Sequence, residues 1–229
     1  MRAEPDIDTY NERLAGAYDA LNYGKSLSSS FMRRGHVALE APFGPETSFP
    51  SVLEVGAGAG EHLGYVRHGF DDYLMTDWND IRLERARAAL PEGLRDRVRV
   101  GREDATKLSL ADASVDRVVA CHILEHLYRP HEVLREWHRV LKRGGVMSIL
   151  LPCDPGLAWR FGRLLGPRAS AERAGIDYDY WMAREHVNPI GNLVTFIRYY
   201  FPHVRETWHP LRVPSTDLNL FYLCHVTKV

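Results

Sequence analysis

The chain has 229 residues, of which 45% are hydrophobic and 26% charged, and its formal net charge at pH 7 is -1. This length suits one domain with a buried core, and the balanced charge gives no basic surface for nucleic acid. The sequence has neither a signal segment nor an apolar run of membrane-spanning length, and its three cysteines are widely spaced, so we expect a cytoplasmic protein without a membrane span, a disulfide framework or a cysteine zinc cluster.

Strands and helices alternate from residue 51 onward. Short apolar runs predict strands at 51–55, 72–76, 97–100, 114–121 and 146–152. Helices are expected to begin near Gly60 and to cover 79–90 and 130–142, the last stopped by Gly144 and Gly145. The alternating segments 204–208 and 219–229 predict an antiparallel pair at the sheet edge. The pattern indicates a Rossmann-like, doubly wound α/β fold with helices on both faces of a mostly parallel sheet.

The first strand runs directly into a glycine-rich loop, Gly56-Ala57-Gly58-Ala59-Gly60. Glycines at such a turn let the backbone bend sharply and approach a ligand closely. The spacing is G-x-G-x-G rather than the G-x-G-x-x-G of dinucleotide-binding proteins. Glu54 also places a carboxylate two residues before the loop. This combination disfavours a pyrophosphate and favours a cationic ligand.

Further acidic residues follow the next two strands. Asp77 closes the second strand, where a carboxylate can accept hydrogen bonds from both hydroxyls of a ribose. Trp78 beside it offers an apolar plane for an adenine ring. Asp104 follows the third strand, where it could accept from an adenine amino group. Glu54, Asp77 and Asp104 all fall at the carboxyl ends of predicted parallel strands, where open α/β sheets bind ligands.

Taken together, four motifs resemble class I S-adenosylmethionine-dependent methyltransferases, in their small-molecule, type 11-like branch. They are E-V-G-A-G-A-G at 54–60, Asp77, E-D-A-T-K-L at 103–108 and the run 114–152. The resemblance covers about residues 50–152. It implies a seven-stranded sheet with an antiparallel last strand, S-adenosylmethionine as cofactor and S-adenosylhomocysteine as product. The implied cofactor contacts are Glu54, Gly56, Ala57, Gly58 and Gly60 for the methionine and ribose, Asp77 for the ribose hydroxyls, Trp78 and Asp104 with Ala105 for the adenine, and Cys121 for the amino group.

The N-terminal segment supplies further candidates. Arg33 or His36 could bind the cofactor carboxylate, although a surface arginine and a packed histidine are equally good readings of the two positions. Tyr18 is a further candidate contact. We expect one domain over 1–229, with a helical cap at 1–45, a cofactor-binding core at 50–152, a substrate-side insert at 153–201 and a final strand pair at 202–229.

The insert is expected to be irregular and to roof the acceptor site. Its candidate acceptor contacts, together with Ile123, are Tyr178, Tyr180, Trp181, Arg184 and Asn188. His186 is the first candidate for a general base because a histidine titrates near working pH, and His122 is the second. The alternative for His186 is a residue that packs the turn before Pro189. We expect a small-molecule acceptor, a hydroxyl of a sugar, glycan precursor or natural product, with N-methylation of a small amine as the alternative.

Two other classes of enzyme compete with this interpretation. His122, Glu125 and His126 are spaced as H-x-x-E-H, which on a helix could hold a hydrolytic zinc. His122 directly follows an apolar strand, however, so it should lie in a turn, and we expect no metal site. A nicotinamide-dependent oxidoreductase or a non-catalytic nucleotide-binding module is the other alternative, and the glycine spacing disfavours the oxidoreductase. The sequence leaves monomer or homodimer open.

Overall fold

The computed structural model describes Pro5, residues 27–164 and residues 166–229. Within these residues the strands are β1 (Ser51–Val55), β2 (Asp72–Asp77), β3 (Val98–Arg102), β4 (Val115–Cys121), β5 (Leu141–Pro152), β6 (Arg205–His209) and β7 (Phe221–Thr227). They form one sheet in the order β3-β2-β1-β4-β5-β7-β6. Neighbours among β1–β5 are parallel, and β7 runs antiparallel to both β5 and β6. The predicted mostly parallel sheet with an antiparallel last strand is confirmed.

Helices cover both faces of this sheet. They are α1 (Leu27–Glu40), α2 (Asp80–Ala89), α3 (Pro130–Val140), α4 (Leu157–Leu164), α5 (Pro167–Arg173), α6 (Tyr178–Glu185) and α7 (Ile190–Tyr200). Successive β4 side chains point to opposite faces, so Val119 joins the core under Leu39 of α1 while Val118 joins the core under Trp137 of α3. The fold is therefore doubly wound, as predicted, and none of the described helices is both long and apolar enough to cross a bilayer.

Two predicted boundaries are wrong. The helix expected near Gly60 is only a 3-10 turn, His62–Tyr65, because Gly60 is left-handed (φ 88°) and Val66 is already extended. The helix expected over 130–142 ends at Val140, and β5 begins at Leu141. The backbone of Gly144 and Gly145 pairs with Lys228, which extends the strand through the two glycines that were expected to stop the helix.

The insert is not irregular, because it contains α4, α5, α6 and α7. Asp177 caps α6 by accepting a hydrogen bond from the backbone N–H of Tyr180, and α7 packs against α3. Two of the predicted acceptor contacts, Tyr178 and Trp181, lie in a small core that α5 and α6 enclose with Ala171, Ile176 and Met182. Of the predicted N-terminal cap, α1 is helical as expected, whereas Tyr18 lies outside the described residues.

Candidate active site

The glycine loop is held between β2 and the turn that follows β4. Gly56, Gly58 and Gly60 all have positive φ angles, of 67°, 59° and 88°. The Ala57 N–H donates to the carbonyl of Thr76 at 2.8 Å. On the other side, a Cβ added to Gly56 would stand 2.2 Å from Cδ1 of Ile123. Only glycine fits at position 56, because both the backbone conformation and the space exclude a side chain.

Asp77 links the loop to the end of β2. Its buried carboxylate accepts from the N–H of Gly58 through Oδ2 at 3.1 Å and from the N–H of Asn79 through Oδ1 at 2.9 Å. Trp78 follows with its ring 62% exposed. Trp78 and Asp104 line an open pocket of about 510 Å³ together with Arg102, Glu103 and Ser109. Small-molecule sites span roughly 300–1,000 Å³, so this pocket can accept a ligand of cofactor size.

Asp104 and Ala105 lie where the sequence placed them, just after β3. Asp104 Oδ1 accepts from the N–H and the hydroxyl of Thr106 at 2.8 and 2.7 Å, which fixes the side chain at the pocket edge. The Ala105 carbonyl accepts from Trp137 Nε1 at 2.9 Å. The cofactor-side residues Gly58, Asp77, Trp78 and Asp104 therefore gather along the carboxyl ends of β1, β2 and β3.

A buried ionic cluster joins Arg117 of β4 to Glu40 of α1. Arg117 is fully buried and donates two hydrogen bonds to the carboxylate of Glu40, at 2.6 and 2.9 Å, and two to the Ser148 hydroxyl, at 3.1 and 3.3 Å. His62 Nε2 lies 3.0 Å from the same carboxylate. Although burial alone would raise it, the hydrogen bonds from His62 and Arg117 hold the pKa of Glu40 down to about 2. Sequence reasoning missed this cluster, whose one signal was an arginine inside the apolar fourth strand.

Histidines and Glu54 extend the cluster toward the glycine loop. Burial opposes a charge on His62, but the neighbouring Cys121 sulfur, 3.6 Å away, and the Glu40 carboxylate raise the pKa of His62 to about 10. His36 lies with its Nδ1 3.0 Å from that of His62 and stacks on Tyr65, so it is a packed histidine. Glu54 is buried and accepts from the Tyr73 hydroxyl at 2.7 Å; burial raises its pKa.

His186, the predicted general base, lies against an acid that the sequence analysis overlooked. Its Nδ1 is 2.9 Å from Oδ2 of Asp154, two residues beyond the end of β5. The ring of His126 meets that of His186 edge-on, with centroids 4.8 Å apart. The position of Asp154 just past a parallel strand was the available signal, the same one that identified Asp77 and Asp104.

Several predicted acceptor contacts serve the protein's own packing instead. The Asn188 amide donates to the carbonyls of Leu124, Glu125 and Leu127, so its N–H groups are consumed in fixing the turn. Tyr178 and Trp181 are buried in the small core of the insert, because their apolar rings pack better there than against solvent. Tyr180 and Arg184 lie near one another on the exposed side of α6.

The remaining candidates divide between the two sides of the turn after β4. His122 is buried between His36 and Phe221, and burial lowers its pKa to about 3. Ile123 contacts the glycine loop, as described above. Arg33 is half-exposed on α1, in the electrostatic range of Tyr65. The roles of these three residues stay predictions.

The H-x-x-E-H hydrolase hypothesis is wrong on geometry. That motif needs His122 and His126 one turn apart on an α-helix. His122 is instead left-handed, with φ 54°, and Leu124–His126 form a 3-10 turn. His122 is also absent from the group of ligand-type side chains that contains Glu125 and His126. The strand order and the carboxylate-edged glycine loop define a Rossmann-like, cofactor-binding enzyme of a different class.

Comparisons with known proteins identify that class. Residues 53–149 match the family described as "Methyltransferase domain". Among curated proteins, demethylmenaquinone methyltransferase of Bacteroides fragilis is 29% identical over 148 residues, which cover 63% of this chain and 59% of that protein. Phosphatidylethanolamine N-methyltransferase of Cereibacter sphaeroides is 29% identical over 168 residues, covering 65% of this chain and 78% of the relative. The chain thus spans little more than half the length of the first of these relatives.

Solved structures agree with the fold. Phosphoethanolamine N-methyltransferase 2 of Haemonchus contortus, solved with S-adenosylmethionine, superposes with a TM-score of 0.67 at 14% identity, covering 99% of this chain and 60% of that one. The match over residues 53–149, these relatives and the shared fold support a class I S-adenosylmethionine-dependent methyltransferase of the type 11 branch. S-Adenosylmethionine is the cofactor of this family, and the residues present fit it.

The fit rests on the chemistry of the pocket edge. The cofactor is a cation with ribose hydroxyl donors and a flat adenine ring. The pocket offers an exposed indole at Trp78 and a carboxylate at Asp104, and the carboxylate of Asp77 lies next to Trp78 at the end of β2. A phosphate group would be repelled by these carboxylates. The tight glycine loop lets a ligand approach the backbone beside Asp77.

Proposed function

We propose that the protein transfers the methyl group of S-adenosylmethionine to a hydroxyl of a small molecule, such as a sugar, a glycan precursor or a natural product. The observation that carries the acceptor side of this proposal is the Asp154–His186 pair, whose hydrogen bond is 2.9 Å long. A carboxylate that accepts from Nδ1 orients the imidazole and leaves Nε2 as the nitrogen that acts on the acceptor.

The position of this pair supports its role. Asp154 follows β5, and His186 contacts His126 in the turn after β4, so the pair lies at the carboxyl edge of the sheet. The same turn contacts the glycine loop through Ile123 and Gly56. The acceptor-activating group and the loop that binds the cofactor are thus separated by one short turn.

The chain's own residues would contribute orientation and activation to an in-line displacement. Asp77 and the glycine loop would hold the cofactor's ribose side, and Trp78 would cover its adenine. His186, oriented by Asp154, activates the acceptor hydroxyl. The bound cofactor supplies an electrophilic methyl group on a sulfonium.

N-methylation of a small amine is a second candidate function. The relative from Cereibacter sphaeroides is named a phosphatidylethanolamine N-methyltransferase, and this chain covers 78% of its length. An ammonium acceptor must lose a proton before its nitrogen lone pair can attack, and the same imidazole can accept that proton.

A methyl-labelled transfer screen tests both candidates. Purified protein is incubated with methyl-labelled cofactor and sugars, nucleotide sugars, phenols, demethylmenaquinone, or ethanolamine and its phospholipid. We expect label in a hydroxyl acceptor, a large loss of kcat in His186→Gln, and wild-type activity in the matched histidine control His131→Gln. Label only in amines would support the second candidate. Calorimetric binding of NAD in place of S-adenosylmethionine would contradict the methyltransferase proposal itself.

A further inference from the structure

Three side chains outside the cofactor pocket converge beside the Asp154–His186 pair. One ligand atom from each of Glu125, His126 and His186 lies within 4.8 Å of the others. Oε1 of Glu125 is 3.8 Å from Nε2 of His126. Glu125 and His126 follow β4, whereas His186 ends α6 in the insert, so only the fold brings the three together.

Both histidines are oriented by their other nitrogen. His186 Nδ1 donates to the carboxylate of Asp154 at 2.9 Å, and His126 Nδ1 donates to the Glu185 carbonyl at 2.9 Å. An Nδ1–H that donates in this way leaves the lone pair of the neutral ring on Nε2. Histidines that bind metals in proteins show this pattern, in which the second nitrogen donates to a carboxylate or a backbone carbonyl.

The third side chain presents an oxygen that the protein leaves unsatisfied. The Glu125 side chain is 3% exposed, and its Oε2 has no hydrogen-bond partner within the described part of the chain. A buried carboxylate oxygen without a donor is unfavourable, and a cation would satisfy it. The surrounding backbone is rigid, because the Asn188 N–H and side-chain amide bond the carbonyls of the turn that carries Glu125 and His126.

We propose that Glu125, His126 and His186 bind one divalent transition-metal ion, with Zn²⁺ as the best match. Two imidazole nitrogens and one carboxylate, with a position left open, are typical of catalytic zinc sites. A hard cation such as Mg²⁺ prefers oxygen ligands alone. The His126 side chain is 29% exposed, which gives the ion and an acceptor access from solvent.

A second ligand-type group in the described chain is a weaker candidate. His36, His62 and Cys121 also lie within 4.8 Å of one another. Their nitrogens already have partners, however, since His62 Nε2 meets Glu40 and the two Nδ1 atoms lie 3.0 Å apart. This group therefore needs no ion to satisfy it.

The site deepens the proposed function, on which this step rests. A zinc ion at this edge would bind the acceptor oxygen and lower the pKa of its hydroxyl. The proton leaves to water, the oxygen electron pair forms the bond to the methyl carbon, and the carbon–sulfur bond breaks toward sulfur. In the metal-bound enzyme His186 therefore activates the acceptor as a ligand of the ion.

Metal binding is measured without cofactor or acceptor, so its outcome does not depend on methyl transfer. Chelator-treated protein is dialysed against Zn²⁺ or Mg²⁺, metal content is determined, and Co²⁺ is used as a spectroscopic probe. We expect about one Zn²⁺ per chain, no retained Mg²⁺, and Co²⁺ absorption bands of a four-coordinate site with nitrogen and oxygen ligands. A sulfur-to-cobalt charge-transfer band would place the ion at Cys121 and overturn the proposal, as would the absence of binding.

Variants assign the ligands. His126→Gln and His186→Gln should lose the ion, while His131→Gln, a histidine of α3 outside the group, should keep it. Asp154→Asn retains all three ligands and should weaken Zn²⁺ binding by roughly 10–100-fold, which keeps the test decisive even if a ligand variant misfolds. Unchanged zinc affinity in Asp154→Asn and His186→Gln would overturn the site. If the protein binds no zinc but still transfers methyl groups, the metal site is overturned and the proposed function stands. If it binds zinc but transfers methyl groups to no acceptor, the metal site stands and the proposed function is contradicted.

Discussion

Replacing Gly56 with alanine tests how the glycine loop is held in place. At φ 67° the backbone is left-handed, which costs a residue with a Cβ roughly 1–2 kcal/mol. The new Cβ would also stand 2.2 Å from Cδ1 of Ile123, and overpacking of this kind typically costs about 1–3 kcal/mol. We expect Gly56→Ala to lower the free energy of unfolding by about 2–5 kcal/mol.

Two other glycines of the same region separate these contributions. Gly58 has a similar φ of 59°, but its added Cβ would meet nothing closer than Glu61 Oε2 at 3.5 Å. Gly58→Ala should therefore cost only the backbone contribution, about 1–2 kcal/mol. Gly64 has no atom within 4 Å of its added Cβ and no left-handed strain, so Gly64→Ala should lie within about 0.5 kcal/mol of wild type.

A double-mutant cycle then isolates the contact itself. Ile123→Val removes the Cδ1 methyl and should cost about 0.5–1.5 kcal/mol alone. In the Gly56→Ala background the same change should recover part of the overpacking cost of about 1–3 kcal/mol, because it removes the 2.2 Å contact and leaves Cγ1 at 3.0 Å. Urea unfolding followed by circular dichroism measures all four proteins. Equal losses in Gly56→Ala and Gly58→Ala, or no recovery with valine, would refute the contact with Ile123 as the constraint on the loop.

Three further predictions concern charges. Glu40→Gln leaves Arg117 buried without its counter-charge, so it should lower the free energy of unfolding in urea by about 3–5 kcal/mol. Asp72→Asn breaks the exposed pair with Arg99 and should lower it by under about 1 kcal/mol. Similar losses in the two variants would contradict the assigned burial. The folded pKa of Glu40 lies near 2, below its ordinary 4.5, so its contribution to stability is complete above about pH 4.5 and is lost as the pH falls toward 2. The stability advantage of the wild type over Glu40→Gln should therefore shrink across this range. Parallel curves of stability against pH would refute this linkage. Asp77→Asn removes a charged hydrogen-bond acceptor, and calorimetry should show that S-adenosylmethionine binds roughly 10–100-fold more weakly. An unchanged affinity would contradict a role of Asp77 in binding the cofactor.

Most of the sheet could be predicted from the sequence because each strand is an apolar run between polar helices. The run 114–121 is a strand at Val115–Cys121, and the apolar stripe of 130–142 packs as α3. Boundaries failed where a distant partner decides them. Leu141 to Gly145 belong to β5, although Gly144 is left-handed (φ 79°), because Gly144 and Gly145 pair with Lys228. Neither local propensity nor the two glycines reveals that partner.

The candidate site divides in the same way. Asp77, Trp78 and Asp104 could be placed because a residue at the end of a parallel strand has a position fixed by topology. The packing of Tyr178, Trp181 and Asn188 could not be predicted in this way, because the insert has no such frame, and their roles stay predictions. Its helices α5 and α6 pack against each other around a small core, so an aromatic residue there can line a pocket or fill that core with the same local sequence.

The turn after β4 gives the H-x-x-E-H spacing a different meaning. Ile123 presses on the glycine loop from one side, while Glu125 and His126 face His186 on the other, with only Leu124 between. A shift of this turn would change the support of the loop and the spacing of the acceptor-side ligands at once. The hydrogen bonds of Asn188 to the turn's carbonyls oppose such a shift. The motif is therefore best understood as a fixed turn between the glycine loop and the proposed acceptor site. Its glutamate and second histidine face His186, and its first histidine is buried between His36 and Phe221.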